Sequence, residues 1–243
     1  MRSYAIGDIH GQLEKLKAAH ALIAADMALH GPAPIVHLGD LVDRGPDSNG
    51  VITLLLAGLA NGADWIVLKG NHDRMFMGFL DSEDHHDPRL FAGLSWLHPR
   101  LGGAVTLGSY GVAKAADRPV TPVHKDAVAA VPAAHRAFVQ GLPTHHRIGD
   151  VLFVHAGIRP GISMQFQLED DLLWIREPFL SDTTDHGALV VHGHTVVEAP
   201  MHYGNRVNID TGAGYTGPLT AIAIEGRDIF HLTAQGRVPL RPL

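Results

Sequence analysis

The sequence predicts an α/β fold: parallel strand–helix units first, a helical or loop-rich insertion next, and an antiparallel component or second sheet last. Three observations predict it. In the first third, a short apolar run closes on a Gly-containing polar cluster and a helical stretch follows, three times over. The residues Asp8, Asp40 and Asn71 in those clusters stand 32 and 31 residues apart, the length of a strand–helix–strand unit. Beyond residue 188 the apolar runs follow one another too closely for helical crossovers.

The elements follow in order. Residues 4–6 form a first strand ending at Gly7-Asp8. Residues 13–29 then carry Leu13, Leu16, Ala19, Leu22, Ile23 and Met27 at a helical period. Residues 35–38 are a second strand ending at Gly39-Asp40. Asp47, after Pro46, is placed to cap a helix over 48–59. Residues 65–68 are a third strand ending at Gly70-Asn71. The stretch 81–131 loses this regularity; it holds Asp84-His85-His86-Asp87, Gly102-Gly103 and several prolines. It reads as an inserted cap over the site, a common place for substrate selection. A helix over 132–142 precedes a strand at 151–154 that ends at His155-Ala156-Gly157. Further apolar runs lie at 188–191, 207–209, 219–224 and 229–232, the first ending at His192-Gly193-His194. No linker interrupts the chain, so 1–243 is expected to be one domain.

Composition narrows the chemistry. None of the 243 residues is cysteine and 18 are histidine, nearly as many as the 19 lysines and arginines together. Disulfides, thiolate metal sites, iron–sulfur clusters and cysteine nucleophiles are excluded. Any metal must be held by nitrogen and oxygen ligands. A net charge of −6 argues against a nucleic-acid polymer as partner, whose footprint is basic. Phosphorylated substrates stay open, because arginines or bound metal reverse the local sign. The longest apolar stretch, 51–60, falls well short of the roughly 20 residues of a membrane span. Asp8 interrupts the N-terminus before a signal peptide could form. The expected location is therefore the cytoplasm, with no membrane partner.

In open α/β sheets, ligands bind outside the carboxyl ends of the strands, so the polar clusters converge on one edge. Asp8-Ile9-His10 offers two ligands at i, i+2, on one side of an extended chain. Asp40 occupies the equivalent place in the second unit and could bridge two cations. Asp43 and Arg44 follow where a tight turn would face them back. Gly70-Asn71-His72-Asp73 adds a carboxamide oxygen, suited to a hard ion, and an imidazole. His155 and the pair His192/His194 close later strands. Each cluster alone reads equally well as a turn or a helix cap; five at strand ends together point to a dinuclear metal site.

These residues carry a resemblance. Gly7-Asp8-Ile9-His10-Gly11, Gly39-Asp40-Leu41-Val42-Asp43-Arg44-Gly45, Gly70-Asn71-His72-Asp73, His155-Ala156-Gly157 and His192-Gly193-His194-Thr195 resemble, in order, the signature of calcineurin-like metallophosphoesterases. More narrowly, they are similar to the phosphoprotein phosphatase group acting on phosphoserine and phosphothreonine, in its bacterial and phage forms. The likeness runs from residue 7 to about 221 and includes 172–176 and Ile209-Asp210-Thr211-Gly212; the cap is poorly covered.

The resemblance implies an αββα sandwich of two mixed sheets with flanking helices and an inserted cap. It implies two divalent ions, manganese first, iron or zinc as alternatives. Asp8 and His10 would hold one, Asp40 would bridge, and Asn71, His155 and His194 would complete the other. His194 is preferred because Gly193-His194-Thr195 matches the motif, and His192 is held in reserve beside it. A hydroxide bridging the ions would attack phosphorus in line. His72 would act as general acid, with Asp43 fixing its tautomer. Arg44 and Arg176 would clamp the phosphoryl oxygens, with Asn71 also touching substrate. Asp73 departs from the Glu of most protein phosphatases; Asp is usual in symmetrical dinucleoside-tetraphosphate hydrolases, which typically lack the acid at Asp43. The expected function is therefore a metal-dependent phosphomonoester hydrolase, a serine/threonine protein phosphatase first, acting on a phosphorylated protein or small phosphorylated molecule. A symmetrical dinucleoside-tetraphosphate hydrolase is the alternative, and a non-catalytic metal-binding module the third.

Other polar residues read as ordinary. His85-His86 and His145-His146 are expected in exposed loops or edges, and His20 and His30 on the surface. His37 alternates away from the site. Arg159 would anchor a turn, and Trp96 and Trp174 would pack in the core or cap.

Overall fold

A computed structural model describes all 243 residues. Three parallel strands open it: β1 (Arg2–Ile6), β2 (Ile35–His37) and β3 (Trp65–Val67). Between them run α1 (Leu13–His30) and α2 (Ser48–Ala60), and α3 (Asn71–Asp81) starts directly after the third strand. Asp47 caps α2 as its position suggests: its side chain accepts from the Gly50 amide at 2.7 Å. On the other side of β1 lies β9 (Ala221–Glu225), antiparallel, followed by the antiparallel pair β10 (Asp228–Thr233) and β11 (Gly236–Leu240). The first sheet thus has the order β11-β10-β9-β1-β2-β3.

A second sheet, in the order β4-β5-β6-β8-β7, takes β4 (His145–Ile148), β5 (Val151–Val154), β6 (Leu189–His192), β7 (Met201–His202) and β8 (Arg206–Asn208). Its centre is parallel and both edges are antiparallel. The later apolar runs therefore divide between the two sheets: 188–191 and 207–209 enter this one, while 219–224 and 229–232 extend the first.

Side-chain alternation stacks the layers. Ala5, Val36, Val151, Phe153, Val191, Ile222 and Ile224 point into one core between the sheets. Their neighbours Tyr4 and Ile6 point the other way, into a helical core with Leu16, Ile23, Val51 and Leu55. Leu152, Val154 and Val190 turn outward to Leu172, Ile175 and Phe179. This period of two produces the αββα sandwich. Burying both faces of each sheet explains the near-continuous apolar runs.

The middle of the chain packs onto the first layer of helices and also reaches the cavity described below. Helices α4 (Gly103–Ser109) and α5 (Val120–Ala130) pack against α2 and α3, and they bury Leu107, Val123 and Ala127 in the same core as α1. Helix α6 (Ala133–Gln140) falls within the stretch predicted at 132–142. The short α7 (Glu169–Trp174) ends just before Arg176, so the Leu172–Trp174 part is helical. No helix is long and apolar enough to cross a membrane.

Candidate metal centre and phosphoester site

Loops at the carboxyl ends of β1, β2, β3, β6 and β8 line one cavity of about 530 Å³. Asp8, His10, Asp40, Arg44, Asn71, His72, Arg176 and His194 all line it. His155 sits immediately beneath, fully buried. Six non-glycine residues have positive φ, and five of them are His10, Asp40, Asp43, Arg44 and His194. Strain of this kind persists where the surroundings over-determine a functional geometry. Close approach also fixes two glycines: a Cβ at Gly70 would overlap the Asp40 carboxylate, and one at Gly193 the Asp8 carboxylate.

The ligand set centres on Asp40. Its Oδ2 lies 3.4 Å from His10 Nε2 and its Oδ1 lies 3.5 Å from His155 Nε2. Oδ1 also accepts from the His72 amide at 2.9 Å. Burial alone would raise the pKa of this carboxyl, but His155, His72 and His10 outweigh it and hold it well below the usual range. Asp8 goes the other way: burial, then Asp210 and Asp40 nearby, push its pKa well above the usual range. Metal-capable atoms converge in two buried groups, His10–Asp40–His72 and Asp8–Asp40–His155, with Asp40 in both.

Tautomers test whether these residues fit a cation. Burial pushes the pKa values of His10 and His155 down, so each ring is neutral and carries one N–H. His10 Nδ1 donates to the Val42 carbonyl at 2.9 Å and His155 Nδ1 to the Leu38 carbonyl at 3.0 Å. Their Nε2 atoms therefore carry no hydrogen, and that of His10 accepts from the Arg44 guanidinium. His155 Nε2 faces Asn71 Oδ1 at 2.9 Å, lone pair toward lone pair. His194 Nε2 and Asp8 Oδ1 are buried with no partner at all. Bare lone pairs aimed at one another are costly unless a cation lies between them, and a backbone carbonyl on the far ring nitrogen is the usual orienting device of a metal-bound histidine. The donors fit divalent metal ions held by nitrogen and oxygen.

A second group surrounds His72. Its Nδ1 donates to Asp43 Oδ2 at 2.6 Å, while Nε2 faces Arg44 Nη2 at 2.9 Å. Asp43, fully buried, is itself held at both oxygens. Trp96 Nε1 donates to Oδ2 at 2.8 Å and Thr106 Oγ1 to Oδ1 at 2.7 Å. Arg44 also meets His10 through its guanidinium, which lies over the Tyr215 ring at 4.8 Å. Arg176 lines the same cavity, exposed.

Several residues fall elsewhere than the sequence suggests. His192 is fully buried against Phe179, its pKa pushed down to about 3 by burial and then by Arg206, and it does not line the cavity. Asp73 also stays outside; it accepts from the Leu41 and Gly70 amides at 2.9 and 2.8 Å and so staples the second loop to the third. His20 is half-buried rather than on the surface, bonded to His37 and stacked on Trp65. Trp96 is buried, as packing predicts, yet it also bonds Asp43. Asp210, buried and lining the cavity, is a site residue that the sequence motifs leave out; its strand-end position in Ile209-Asp210-Thr211-Gly212 is the signal for it. Tyr215 and Thr106 carried no such signal.

The model of the family described as calcineurin-like phosphoesterase matches residues 1–223. A bis(5'-nucleosyl)-tetraphosphatase PrpE [asymmetrical] from Anoxybacillus flavithermus is 28% identical, over 89% of this chain and 88% of that protein. A protein of the same name from Bacillus thuringiensis is 26% identical over the same shares. Among solved structures, one described as a candidate diadenosine tetraphosphatase superposes with a TM-score of 0.66 at 22% identity, covering 99% and 94% of the two chains. A cold-active protein tyrosine phosphatase gives 0.67 at 17% identity, covering 99% and 79%. These structural likenesses concern the fold.

Proposed function

The chain belongs to the calcineurin-like phosphoesterase family, a family of metal-dependent hydrolases, and from that premise we propose that it hydrolyses phosphomonoesters whose leaving group is an alkoxide, phosphoserine and phosphothreonine in proteins first. The His72–Asp43 pair carries this reading. An alkoxide is a poor leaving group and needs a proton; a nucleotide oligophosphate leaves as a far weaker base and does not. A buried imidazole whose orienting carboxylate is held by two further donors is a general acid's setting.

Asp8, His10, Asp40, Asn71, His155 and His194 would hold two divalent ions, manganese by preference. When bound, such ions polarise the phosphoryl oxygens and lower the pKa of coordinated water. The remaining work belongs to side chains of this chain. Arg44 and Arg176 grip non-bridging phosphoryl oxygens with paired N–H donors. Asn71 supplies its amide edge to the same group. As Arg44 turns from His72 Nε2 to the phosphoryl group, that nitrogen is freed to take a proton from solvent and pass it to the leaving oxygen, after which the neutral ring is restored. Asp43 keeps the proton on Nδ1 throughout and balances the charge of the protonated ring.

A second reading, cleavage of a dinucleoside tetraphosphate, is favoured by the names of the Anoxybacillus and Bacillus relatives; those names specify asymmetrical cleavage, whereas Asp73 suggests the symmetrical kind. The deciding experiment compares kcat/KM for a phosphothreonine peptide and for diadenosine tetraphosphate with the manganese-loaded protein. The peptide is expected to be preferred. Far faster turnover of the dinucleotide overturns the first reading in favour of the second.

A further inference from the structure

We propose that Arg89 and Arg100 form a second anion subsite at the mouth of the cavity, and that the preferred substrates carry a second phosphoryl group near the one hydrolysed. The inference deepens the phosphoester reading of this cleft and rests on it.

The cavity lined by Arg44 and Arg176 is also lined by Arg89 and Arg100, from the segment between α3 and α4. At about 530 Å³ it lies in the range of sites for whole small molecules, more room than one phosphoryl group occupies. The charges within it are segregated. Its acids, Asp8, Asp40 and Asp210, sit at the inner end around the candidate metal ligands, and no acid from the 89–101 segment faces it. The guanidinium groups of Arg89, Arg100 and Arg176 make no ion pair. Elsewhere Arg2, Arg74, Arg118, Arg159, Arg227 and Arg237 are each matched to a carboxylate, and Arg136, Arg147 and Arg206 donate to backbone carbonyls instead; outside the cleft only Arg241, at the chain's exposed end, has neither kind of partner. In a chain of net charge −6, cations without acids collected in one cleft indicate that the ligand supplies the anions. Guanidinium forks match phosphoryl oxygens bidentately. Arg44 and Arg176 serve the inner phosphoryl group, so the outer pair is free for another. That second group comes from one of two sources, a neighbouring phosphorylated residue or the next phosphate of an oligophosphate chain.

The test is calorimetric binding to the full-length manganese-loaded protein, at fixed free manganese, which requires no turnover. Tripolyphosphate is expected to bind at least about tenfold more tightly than inorganic phosphate. In the R89A/R100A double variant that gap should fall to less than about threefold. Both side chains are exposed and unpaired, so the fold should tolerate their loss, and R89K/R100K, which keeps the charge but not the bidentate fork, should fall between the native and the alanine proteins. A doubly phosphorylated peptide against its singly phosphorylated form, and ATP against AMP, identify the source by which gap the alanine variant loses. Identical gaps in the native and alanine proteins overturn the subsite. Absence of phosphomonoester turnover by the native enzyme would instead overturn the functional reading, a separate result.

Discussion

Trp96 Nε1 donates at 2.8 Å to Asp43 Oδ2, the same oxygen that takes the Nδ1–H of His72 at 2.6 Å. The indole thus fixes the carboxylate that fixes the imidazole, across 53 residues of sequence. Thr106 holds the other oxygen, so the carboxylate cannot rotate without breaking two hydrogen bonds. Replacing Trp96 by Phe keeps an aromatic ring against Phe76 and Phe79 and removes only the donor. Steady-state kinetics should show kcat for a phosphothreonine peptide reduced about tenfold with KM little changed, as for other residues that orient a catalytic group. Turnover of p-nitrophenyl phosphate, whose leaving group needs no proton, should stay near native. Equal losses on both substrates would mean that Trp96 only packs.

Metal content separates the roles of Asp40 and His72. Asp40 belongs to both convergent groups, whereas His72 belongs to one, and its Nδ1 is already committed to Asp43. Asp40→Asn should therefore lose both ions, measured by elemental analysis of protein reconstituted with manganese and desalted. His72→Asn should keep close to two. Two ions retained by Asp40→Asn would refute its bridging place, and loss of an ion by His72→Asn would make His72 a ligand.

A pH effect on stability follows from a histidine far from the cavity. Burial, and then His20 beside it, push the pKa of His37 down to about 3. In the unfolded chain it titrates near the ordinary value of about 6.5. Between those limits the unfolded state binds the extra proton, so stability falls as pH falls through that window and is fully present above it. From pH 7 to pH 5 this one ring should cost about 2 kcal/mol. Urea unfolding at the two pH values should show that loss in the native protein. His37→Gln keeps a hydrogen-bonding side chain and should shrink the difference by about that amount, the other buried histidines such as His192 supplying the rest; an unchanged difference would mean that His37 contributes none of the acid sensitivity.

The parts of the fold legible in the sequence are those governed by short-range spacing. Strands β1, β2 and β3 and helices α1 and α2 follow from the 31- and 32-residue repeat, and the same repeat brings Asp8, Asp40 and Asn71 to one edge. The other three edge strands carry no readable pattern. His145–Ile148 is polar and half exposed, Met201–His202 is two residues long, and β11 contains Pro239; each is defined by its pairing partner rather than by its own pattern. Trp96 and Thr106 come from a stretch without period, and they reach Asp43 only because α4 packs on α2. Local pattern carries no record of such a contact. His192 shows the converse: a strand-end histidine beside Gly193 looks like a ligand, yet a strand directs successive side chains to opposite faces, and this one is turned onto Phe179.

Protonation of an alkoxide leaving group by His72 is tested most directly by the dependence of kcat/KM on leaving-group pKa. A series of aryl and alkyl phosphate monoesters would be measured with the manganese-loaded native enzyme and with His72→Asn. The native enzyme should show a shallow dependence. The variant should be nearly native on the most acidic phenols and slower by about 10²–10⁴-fold on alkyl esters, the range of general acid catalysis. Parallel lines, with the variant equally slow on every substrate, would contradict the account.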